Sequence, residues 1–542
     1  MKLDRMSKHL FLDNRHVELG TSWQFDPALE IKRAPHVDGK GMIYGDIHGP
    51  CARVKRVMHQ PTRHGDFPLI GPDKPWEGTL TYFGGHYLNR EPDTGRLRMY
   101  YQAWTLELAP EIAVQSNPSN PTAAVPGVNT IEHGKFCMAV SEDGLKWEKP
   151  ELGEIEWEGS KENNIVLDER ICGTIWGGVM YDEIETDPRR KWKAMTFGSP
   201  GDWHGVCIYF SPDGIHWTPW KNNPVLTARI DAGDSYVLFG YDKRINKYVG
   251  YIRPQDWYRH YPDTPYHRVT SPSWPFGASL QNHPYRTMGR SVSDDFVHWS
   301  VPEEIIAPDL DDEFGTQFYG MTVGTYEDYY IGNLWIYNLG SHDDRITMQL
   351  AVSQDGIKWQ RVGNRKPFID VGDEGPFHSQ MILATTSPYL VMGDEIWIYY
   401  AAFNCTHYGT RFPEREAGIG LCKLRLDGWV GLASEGEEGY FLSRPFDLEG
   451  EPIELEINAD ASKGYVKVAV VGEDHQLVPG YSQHDCVALA EDRIHHTVRW
   501  KQNENLQGAG DRRVYFMFRL KDAEIFSYSL NAIDGSQMGS LT

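Results

Sequence analysis

Acidic residues stand in front of several strand-like segments of this 542-residue chain. Carboxyl groups brought close together differ in pKa, because like charges cannot all ionise cheaply, so one can donate a proton while another stays ionised. Such a pair can cleave a glycosidic bond: one acid protonates the leaving oxygen, and the other acts as a nucleophile or activates water. The preferred catalytic group is Glu77, Asp234 and Glu374, with Glu313 as a further candidate. For any one of these acids, a role as a turn or capping residue is the commoner alternative.

Other side chains near the same segments could hold a substrate. Trp76 and Trp176 could stack on a sugar ring, although many tryptophans only fill a core. Arg253 lies in the otherwise apolar run Tyr251-Ile-Arg253, where a buried guanidinium needs a carboxylate or substrate partner, or forms a structural ion pair. Gln317 could bind a hydroxyl group, and His378 could be a base, a substrate contact or a metal ligand. These five residues are the predicted substrate-binding set.

A repeated motif indicates how the chain positions these residues. Ser-x-Asp-x-x-x-Trp occurs four times, three times with Gly after Asp, and each copy follows an apolar run; the copies are Ser141–Trp147, Ser211–Trp217, Ser293–Trp299 and Ser353–Trp359, with a degenerate fifth at Leu426–Trp429. Asp-Gly favours a tight turn, because glycine adopts positive φ without strain. Each copy is therefore predicted to be the corner between the third and fourth strands of a repeated sheet.

Five such units predict an all-β chain whose residues 75–430 form a five-bladed β-propeller. The first strand of each blade would line a central channel, so acids at the starts of those strands would converge. Residues 431–542 lack the motif but keep strand-like runs, which predicts a C-terminal β-sandwich. Residues 1–74 would form an N-terminal arm packing on the propeller.

The composition narrows the class of partner. The net charge of −23 disfavours nucleic acid and anionic membranes, whereas 18 Trp and 29 Tyr suit a carbohydrate. Seven cysteines without a CxxC pair disfavour a disulfide framework or a zinc site. The polar first residues contain no apolar leader, which predicts a cytoplasmic protein, although a secreted or periplasmic chain with its signal removed would read the same way. No cofactor is required; a structural Ca²⁺ on the axis would suit clustered carboxylates. The oligomeric state is open.

The corner motifs, the Pro75–Gly78 entry and the run Arg96–Trp104 resemble the five-bladed glycosidases of glycoside hydrolase families 32, 43 and 68. The resemblance covers about residues 40 to 430 and implies a propeller with carboxylates at its axis; by position, Glu77, the region of Asp182 and Asp234 correspond to the family acids. The family 32 signature motifs are absent, so no sucrose or fructan specificity is implied.

The leading hypothesis is an exo-acting glycoside hydrolase that degrades an oligo- or polysaccharide. One alternative is a metal-dependent carbohydrate esterase or deacetylase that would use His378 with nearby acids. Another is a propeller that binds glycans without catalysis.

Overall fold

A computed structural model describes residues 8–18, 51–65, 67–78, 80–82, 87–109, 129–168, 177–198, 205–227, 232–254, 286–313, 315–338, 345–372, 380–385, 389–406, 416–450 and 452–533. Regular structure in these ranges is almost entirely β-strand, and the helices are short 3₁₀ turns: Pro75–Glu77, Pro188–Arg190, Gly363–Arg365 and Gln507–Ala509. None of the helices in the described ranges is long and apolar enough to cross a bilayer. The chain divides into two compact units; the first contains Met1–Gln60, Val391–Ile396 and Leu424–Thr542, and the second contains Pro61–Leu390 and Trp397–Lys423.

The described strands are numbered in chain order. They are β1 (His9–Leu10), β2 (Val17–Glu18), β3 (Cys51–Ala52), β4 (Lys55–Met58), β5 (Thr62–Arg63), β6 (Leu80–Tyr82), β7 (Leu88–Arg90), β8 (Leu97–Ala109), β9 (Asn129–Ser141), β10 (Ile165–Asp168), β11 (Gly177–Tyr181), β12 (Trp192–Gly198), β13 (Gly205–Ser211), β14 (Thr218–Pro219), β15 (Leu226–Thr227), β16 (Ala232–Asp242), β17 (Lys247–Pro254) and β18 (Met288–Ser293). They continue with β19 (Glu303–Ile306), β20 (Thr316–Tyr326), β21 (Tyr329–Asn338), β22 (Ile346–Ser353), β23 (Trp359–Arg361), β24 (Met381–Thr385), β25 (Leu390–Met392), β26 (Glu395–Phe403), β27 (Ala417–Arg425), β28 (Val430–Ser434), β29 (Gly439–Ser443), β30 (Phe446–Glu449), β31 (Ile453–Asp460), β32 (Tyr465–Gly472), β33 (Asp492–Thr497), β34 (Asp511–Lys521) and β35 (Ala523–Ala532).

The second unit repeats one antiparallel arrangement along the chain. The first sheet has the order β6-β8-β9-β10, the second β11-β12-β13-β14, and the third β16-β17-β18-β19. The fourth, β20-β21-β22-β23, and the fifth, β24-β26-β27-β5, are joined by a single parallel pairing of Ile346 with Met381. The outer strand of the fifth sheet is β5, which precedes the first sheet in sequence, so the last sheet is completed by the beginning of the unit.

The first strands of the second to fifth sheets lie side by side. β16 contacts both β11 and β20, and β20 contacts β24. Each of β16, β20 and β24 carries a one-residue bulge, where Phe239, Tyr319 and Leu383 are the extra residues. Bulges increase the local twist and re-aim side chains. We call the end of the sheets at which these first strands begin the entry end.

The four corner motifs are confirmed as connections between third and fourth strands, at the opposite end of the sheets. The serine hydroxyl oxygen accepts a hydrogen bond from the glycine amide at 2.8 Å in Ser141–Gly144 and Ser211–Gly214 and at 2.9 Å in Ser353–Gly356. The three glycines have φ of 75°, 78° and 70°, and Phe296 takes the same left-handed conformation in the remaining copy. The aspartate carboxylate accepts hydrogen bonds from the backbone amides two and three residues further on in all four copies, as Asp143 does from Leu145 and Lys146.

Burial distinguishes the two units. β13 and β21 are buried along almost their whole length, as expected for strands covered on both faces. β34 of the first unit instead alternates between buried and half-buried residues, because only one of its faces meets the core. That core is shared by residues from both sheets of the first unit, including Phe441, Leu455 and Phe516.

The first unit contains two antiparallel sheets, each with strands from both ends of the described chain. β1 pairs with β35 and β4 with β28 in one sheet, while β2 and β3 both pair with β29 in the other. The segment predicted as an N-terminal arm, residues 1–74, is therefore divided between the two units. Its first four strands belong to the first unit, and β5 belongs to the fifth sheet of the second. Pairing across more than 400 residues of sequence leaves no local signal that a motif search could detect.

Candidate functional site

Arg253 lies at the entry end of the third sheet and is almost fully buried, with 1% of its surface exposed. It is the penultimate residue of β17, whose last residue, Pro254, pairs with Ala232 at the start of β16. The next described pair is Tyr236 with Ile252, so an irregular segment of β16, residues 233–235, spans the position of Arg253 and includes Asp234. One predicted catalytic acid and one predicted substrate-binding residue therefore belong to neighbouring strands at the same end of the sheet.

A second arginine and three polar residues of the fourth sheet complete what we call the arginine cluster, which consists of Arg253, Arg286, Gln317, Tyr319 and Tyr337. Arg253 donates to the Tyr319 carbonyl oxygen at 2.5 Å, and its guanidinium carbon lies 4.7 Å from the centre of the Tyr319 ring. Arg286 donates to Gln317 Oε1 at 2.5 Å and lies 5.5 Å from the same ring. Both arginines make further contacts beyond these. Two guanidinium groups thus share one tyrosine ring.

The bulge in β20 explains why Tyr319 can reach both arginines. Tyr319 is the extra residue between the pairs Phe318–Ile336 and Gly320–Trp335. A side chain at Gly320 would place its Cβ 2.3 Å from the Trp335 ring, so only glycine lets that indole pack there. Trp335 is fully buried and stacks at 6.4 Å on Tyr319. Trp335 therefore supports the tyrosine and does not offer a stacking face to a sugar.

Glu77 has a different environment from the one predicted for a catalytic acid. Its side chain has no exposed surface, and Lys149 lies 2.7 Å from Oε1 and 2.8 Å from Oε2. Tyr101 donates to Oε1 at 2.5 Å, and the backbone amides of Asp73 and Lys74 each donate to Oε2 at 2.9 Å. Both oxygens are thus engaged inside the protein, so in this structure Glu77 is the centre of an ion-pair network.

Trp76 belongs to the same Glu77 network. Its indole donates to Asn164 Oδ1 at 2.7 Å, and the Asn164 amide donates to Tyr101 Oη, also at 2.7 Å. Burial raises the pKa of Tyr101 well above its ordinary value, and Cys137 and the neighbouring Glu77 carboxylate act in the same direction. The phenol therefore remains a proton donor to Glu77. The half-buried Trp76 ring meets Trp157 edge-on at 6.1 Å, which is a packing role.

The remaining predicted residues are not gathered with these. Glu313 is exposed in the turn before β20. Gln317 is buried in the arginine cluster. The side chain of Asp234, and all of Glu374, His378 and Trp176, lie outside the described residues, so their predicted roles stay predictions. Within the described ranges, no group of three or more His, Cys, Asp or Glu side chains is arranged to hold a metal ion.

Asp182, the positional equivalent of a family acid in the second sheet, lies beyond the end of β11 and so at the corner end. It is 2.6 Å from the Lys193 ammonium and accepts a hydrogen bond from Tyr248 at 2.6 Å. Lys193 has no exposed surface. This corrects the assignment of Asp182 by position, because the residue forms a buried ion pair far along the strand from the entry end.

Sequence reasoning missed Lys149, Tyr101 and Asn164, which complete the Glu77 network. Lys149 is 72 residues from Glu77 in sequence, and nothing in its neighbourhood marks it. Tyr319 was also missed, although its position two residues after Gln317 on one strand could have suggested it.

No known family model and no curated protein sequence matches this chain. Solved structures match at low identity. A fructofuranosidase from Schwanniomyces occidentalis complexed with fructosylnystose is 12% identical, covers 88% of this chain and 100% of its own, and has a TM-score of 0.39. A glycoside hydrolase from a mannoside phosphorylase family, targeting β-1,2-mannosidic linkages in Candida mannan, is 13% identical over 67% and 93%, with a TM-score of 0.38. An N-acetylgalactosamine deacetylase from F. plautii is 15% identical over 70% and 97%, with a TM-score of 0.40. These solved structures are carbohydrate-active proteins, and TM-scores below 0.5 are too low to assign a function to this chain.

Proposed function

We propose that this chain is a glycoside hydrolase whose active site lies at the entry end of the second unit. In this proposal the five sheets are the blades of a five-bladed β-propeller, and the two sheets of the first unit form a β-sandwich. The observation that carries the proposal is the arginine cluster, which gathers polar side chains from two sheets at the end where the first strands begin.

Burying the polar groups of this cluster costs free energy, which favours a function for it. Guanidinium, amide and phenol groups lose water when they are buried, and each needs compensating hydrogen bonds. Guanidinium groups carry only donors, arranged in a rigid fork that suits oxygen acceptors. A glycan presents hydroxyl and ring oxygens to such donors, and it presents apolar C–H faces to aromatic rings. A site with two arginines beside Tyr319 and Tyr337 suits that chemistry.

The catalytic pair in this proposal is Asp234 and Glu374. Asp234 belongs to the irregular segment of β16 that spans the position of Arg253, and a nearby guanidinium favours the ionised form of a carboxyl group. Asp234 is therefore assigned as the nucleophile or the base that activates water, and Glu374, before the first strand of the fifth sheet, as the proton donor. Arg253 and Gln317 hold the substrate, with Glu313 as the reserve acid. An exo mode of action follows if the substrate enters a channel that is closed by the five sheets.

The test is a product screen on plant, algal and bacterial glycans with matched variants. Asp234→Asn and Glu374→Gln should each lower kcat by about 10²–10⁴-fold on any hydrolysed glycan, because removing a catalytic acid or base has that effect. Glu304→Gln, an exposed glutamate in β19, is the control and should keep full activity. Asp234→Asn or Glu374→Gln with full activity would contradict the assignment.

Two results would redirect the proposal. Loss of activity on chelation, with release of acetate instead of sugar, would indicate a metal-dependent esterase or deacetylase. Tight binding of a glycan with no product from any glycan would indicate a binding propeller.

A further inference from the structure

A cavity of about 590 Å³ opens where the fifth and first sheets of the second unit meet, and none of its described lining residues belongs to the arginine cluster. We call it the closure cleft. The chain crosses here from the outer strand of the last sheet to the start of the first. The cleft is lined by the segment Pro68–Asp73 and by Gly78, Trp147, Lys149 and Glu416.

The walls of the cleft are fixed on both sides. On the fifth sheet, Ile419 accepts a hydrogen bond from the Leu69 amide at 2.7 Å and donates to the Ile70 carbonyl at 2.9 Å. On the first sheet, the Lys149 ammonium donates to the Gly71 carbonyl at 2.7 Å and also binds Asp73 and Glu77. A ligand would therefore enter a site that is already formed, without the cost of ordering a loop.

Trp147 gives the cleft a rigid aromatic side. Its indole donates to the Gly144 carbonyl at 3.1 Å and packs edge-on against Tyr399 at 5.8 Å, so the ring cannot turn freely. The corner tryptophan Trp217 packs edge-on against Tyr100 of the preceding sheet in the same way. At the closure cleft, the segment Pro68–Asp73 lies beside this packing and leaves space next to the indole.

The polar groups of the cleft are mainly acceptors. Asp73 keeps 68% of its side chain exposed although it binds Lys149, and Glu416 is exposed. Lys149 has three N–H donors, and its contacts with Gly71, Asp73 and Glu77 use them. Pro68 and Pro72 have no backbone N–H to offer. The cleft thus suits a ligand that brings its own donors and carries no negative charge.

We propose that the closure cleft binds a neutral saccharide unit, through residues other than those of the arginine cluster. Sugar hydroxyls would donate to Asp73 and Glu416, and the C–H face of the ring would lie against Trp147 and the prolines. The cavity volume falls in the range of about 300–1,000 Å³ that is usual for ligand sites. This inference does not depend on hydrolysis, so it can stand if the proposed function fails.

The test measures binding in an Asp234→Asn background, which suppresses turnover at the entry end. Neutral gluco-, manno- and arabino-oligosaccharides are titrated by calorimetry and tryptophan fluorescence, with an oligogalacturonate as the anionic probe. Glu416→Lys, at an exposed position, should weaken binding of the neutral probe by about tenfold, since it replaces a charged acceptor. Glu304→Lys, on the third sheet, is the matched control and should leave affinity unchanged.

The outcomes separate this inference from the proposed function. With Asp234 intact, Glu416→Lys should leave kcat on a short substrate unchanged. Equal affinity of the Glu416→Lys and Glu304→Lys proteins, binding of the anionic probe as tight as the neutral ones, or no binding of any neutral probe would each overturn the accessory site. Absence of hydrolysis with a Glu416-dependent binding signal would overturn only the hydrolase assignment.

Discussion

The second unit contains two buried polar regions, which differ in the partners of their charged groups. In the Glu77 network, the carboxylate faces one ammonium, one phenol and two backbone amides, and Lys149 adds a second carboxylate, Asp73. In the arginine cluster, two guanidinium groups stand on one tyrosine ring, and their described contacts include a carbonyl and an amide oxygen. In the Glu77 network, positive and negative charges are paired with one another. The arginine cluster instead brings two positive charges together.

The difference teaches that an acid before a strand does not by itself indicate catalysis. Glu77 and Asp234 are alike in sequence, since each precedes or opens the first strand of a sheet. Glu77 is fully buried with both oxygens engaged, which is what stabilises a fold. Asp234 instead lies in an irregular segment of β16, beside the strand that carries the buried Arg253. The neighbours of each acid in space distinguish Glu77 from Asp234, and their positions in the sequence do not.

The strongest way to break the comparison is to remove the cation of the Glu77 network. Lys149→Met should lower the free energy of unfolding by about 3–5 kcal/mol, because it leaves a buried carboxylate without its partner. The matched control is Lys243→Met, which breaks an exposed pair with Glu183 and should cost under about 1 kcal/mol. Urea unfolding measures both. Equal costs for the two variants would mean that the Glu77 network does not stabilise the fold.

A second variant asks whether the arginine cluster serves function more than stability. Arg253→Met should lower kcat/KM by about 10- to 100-fold, the effect of losing charged hydrogen bonds to a substrate. Its stability should fall less than that of Lys149→Met, because losing a hydrogen bond to the Tyr319 carbonyl and a contact with the Tyr319 ring costs less than leaving the buried Glu77 carboxylate without its cation. Thermal unfolding and steady-state kinetics on a hydrolysed glycan report the two quantities. A stability loss as large as that of Lys149→Met, with activity unchanged, would make the cluster structural.

A milder change sharpens the role of Arg286, which we regard as a positioning residue for Gln317. Arg286→Lys keeps the charge but loses the planar fork that reaches Gln317 Oε1. We expect KM to rise by about tenfold or less with kcat nearly unchanged. Gln317→Leu should reproduce the rise in KM, and the double variant should add little to either change. Independent, additive effects would show that Arg286 does not act through Gln317.

The parts of the structure that the sequence predicted are those held by local bonds. Each corner closes within seven residues, through the serine and aspartate contacts of the motif itself, so its turn and position could be read from Ser141 to Trp147. Arg253 was found because a charged residue in an apolar strand is conspicuous. Neither inference needed knowledge of a distant partner.

The parts that the sequence did not predict depend on distant partners. Lys149 meets Glu77 across 72 residues, and β1 meets β35 across most of the chain. The bulge at Tyr319 shifts the register by one residue, and the sequence around Gly320 carries no motif for it. Long-range pairing of this kind is set by packing of complete sheets, which one sequence alone does not reveal.

The smallest expected effect is a change in how the stability of the protein depends on acidic pH. It follows from Asp73, at the edge of the Glu77 network. Partial burial raises the pKa of Asp73, but hydrogen bonding to Lys149 and the ammonium charge outweigh it, so the pKa lies below its ordinary value of 3.8. A carboxyl group with a lowered pKa in the folded state contributes stability above its unfolded pKa, and that contribution is lost as the pH falls through the folded value.

The wild-type protein should therefore lose more unfolding free energy between pH 5 and pH 3 than Asp73→Asn does. Asp474→Asn, on the first unit and far from any lysine contact in the described structure, is the control, and urea unfolding at each pH gives the slopes. Because 68% of the Asp73 side chain is exposed, solvent screens the pair and the difference should stay well below the cost of Lys149→Met. Identical pH slopes for wild type and Asp73→Asn would confine the stabilising charge pair of this region to Lys149 and the fully buried Glu77.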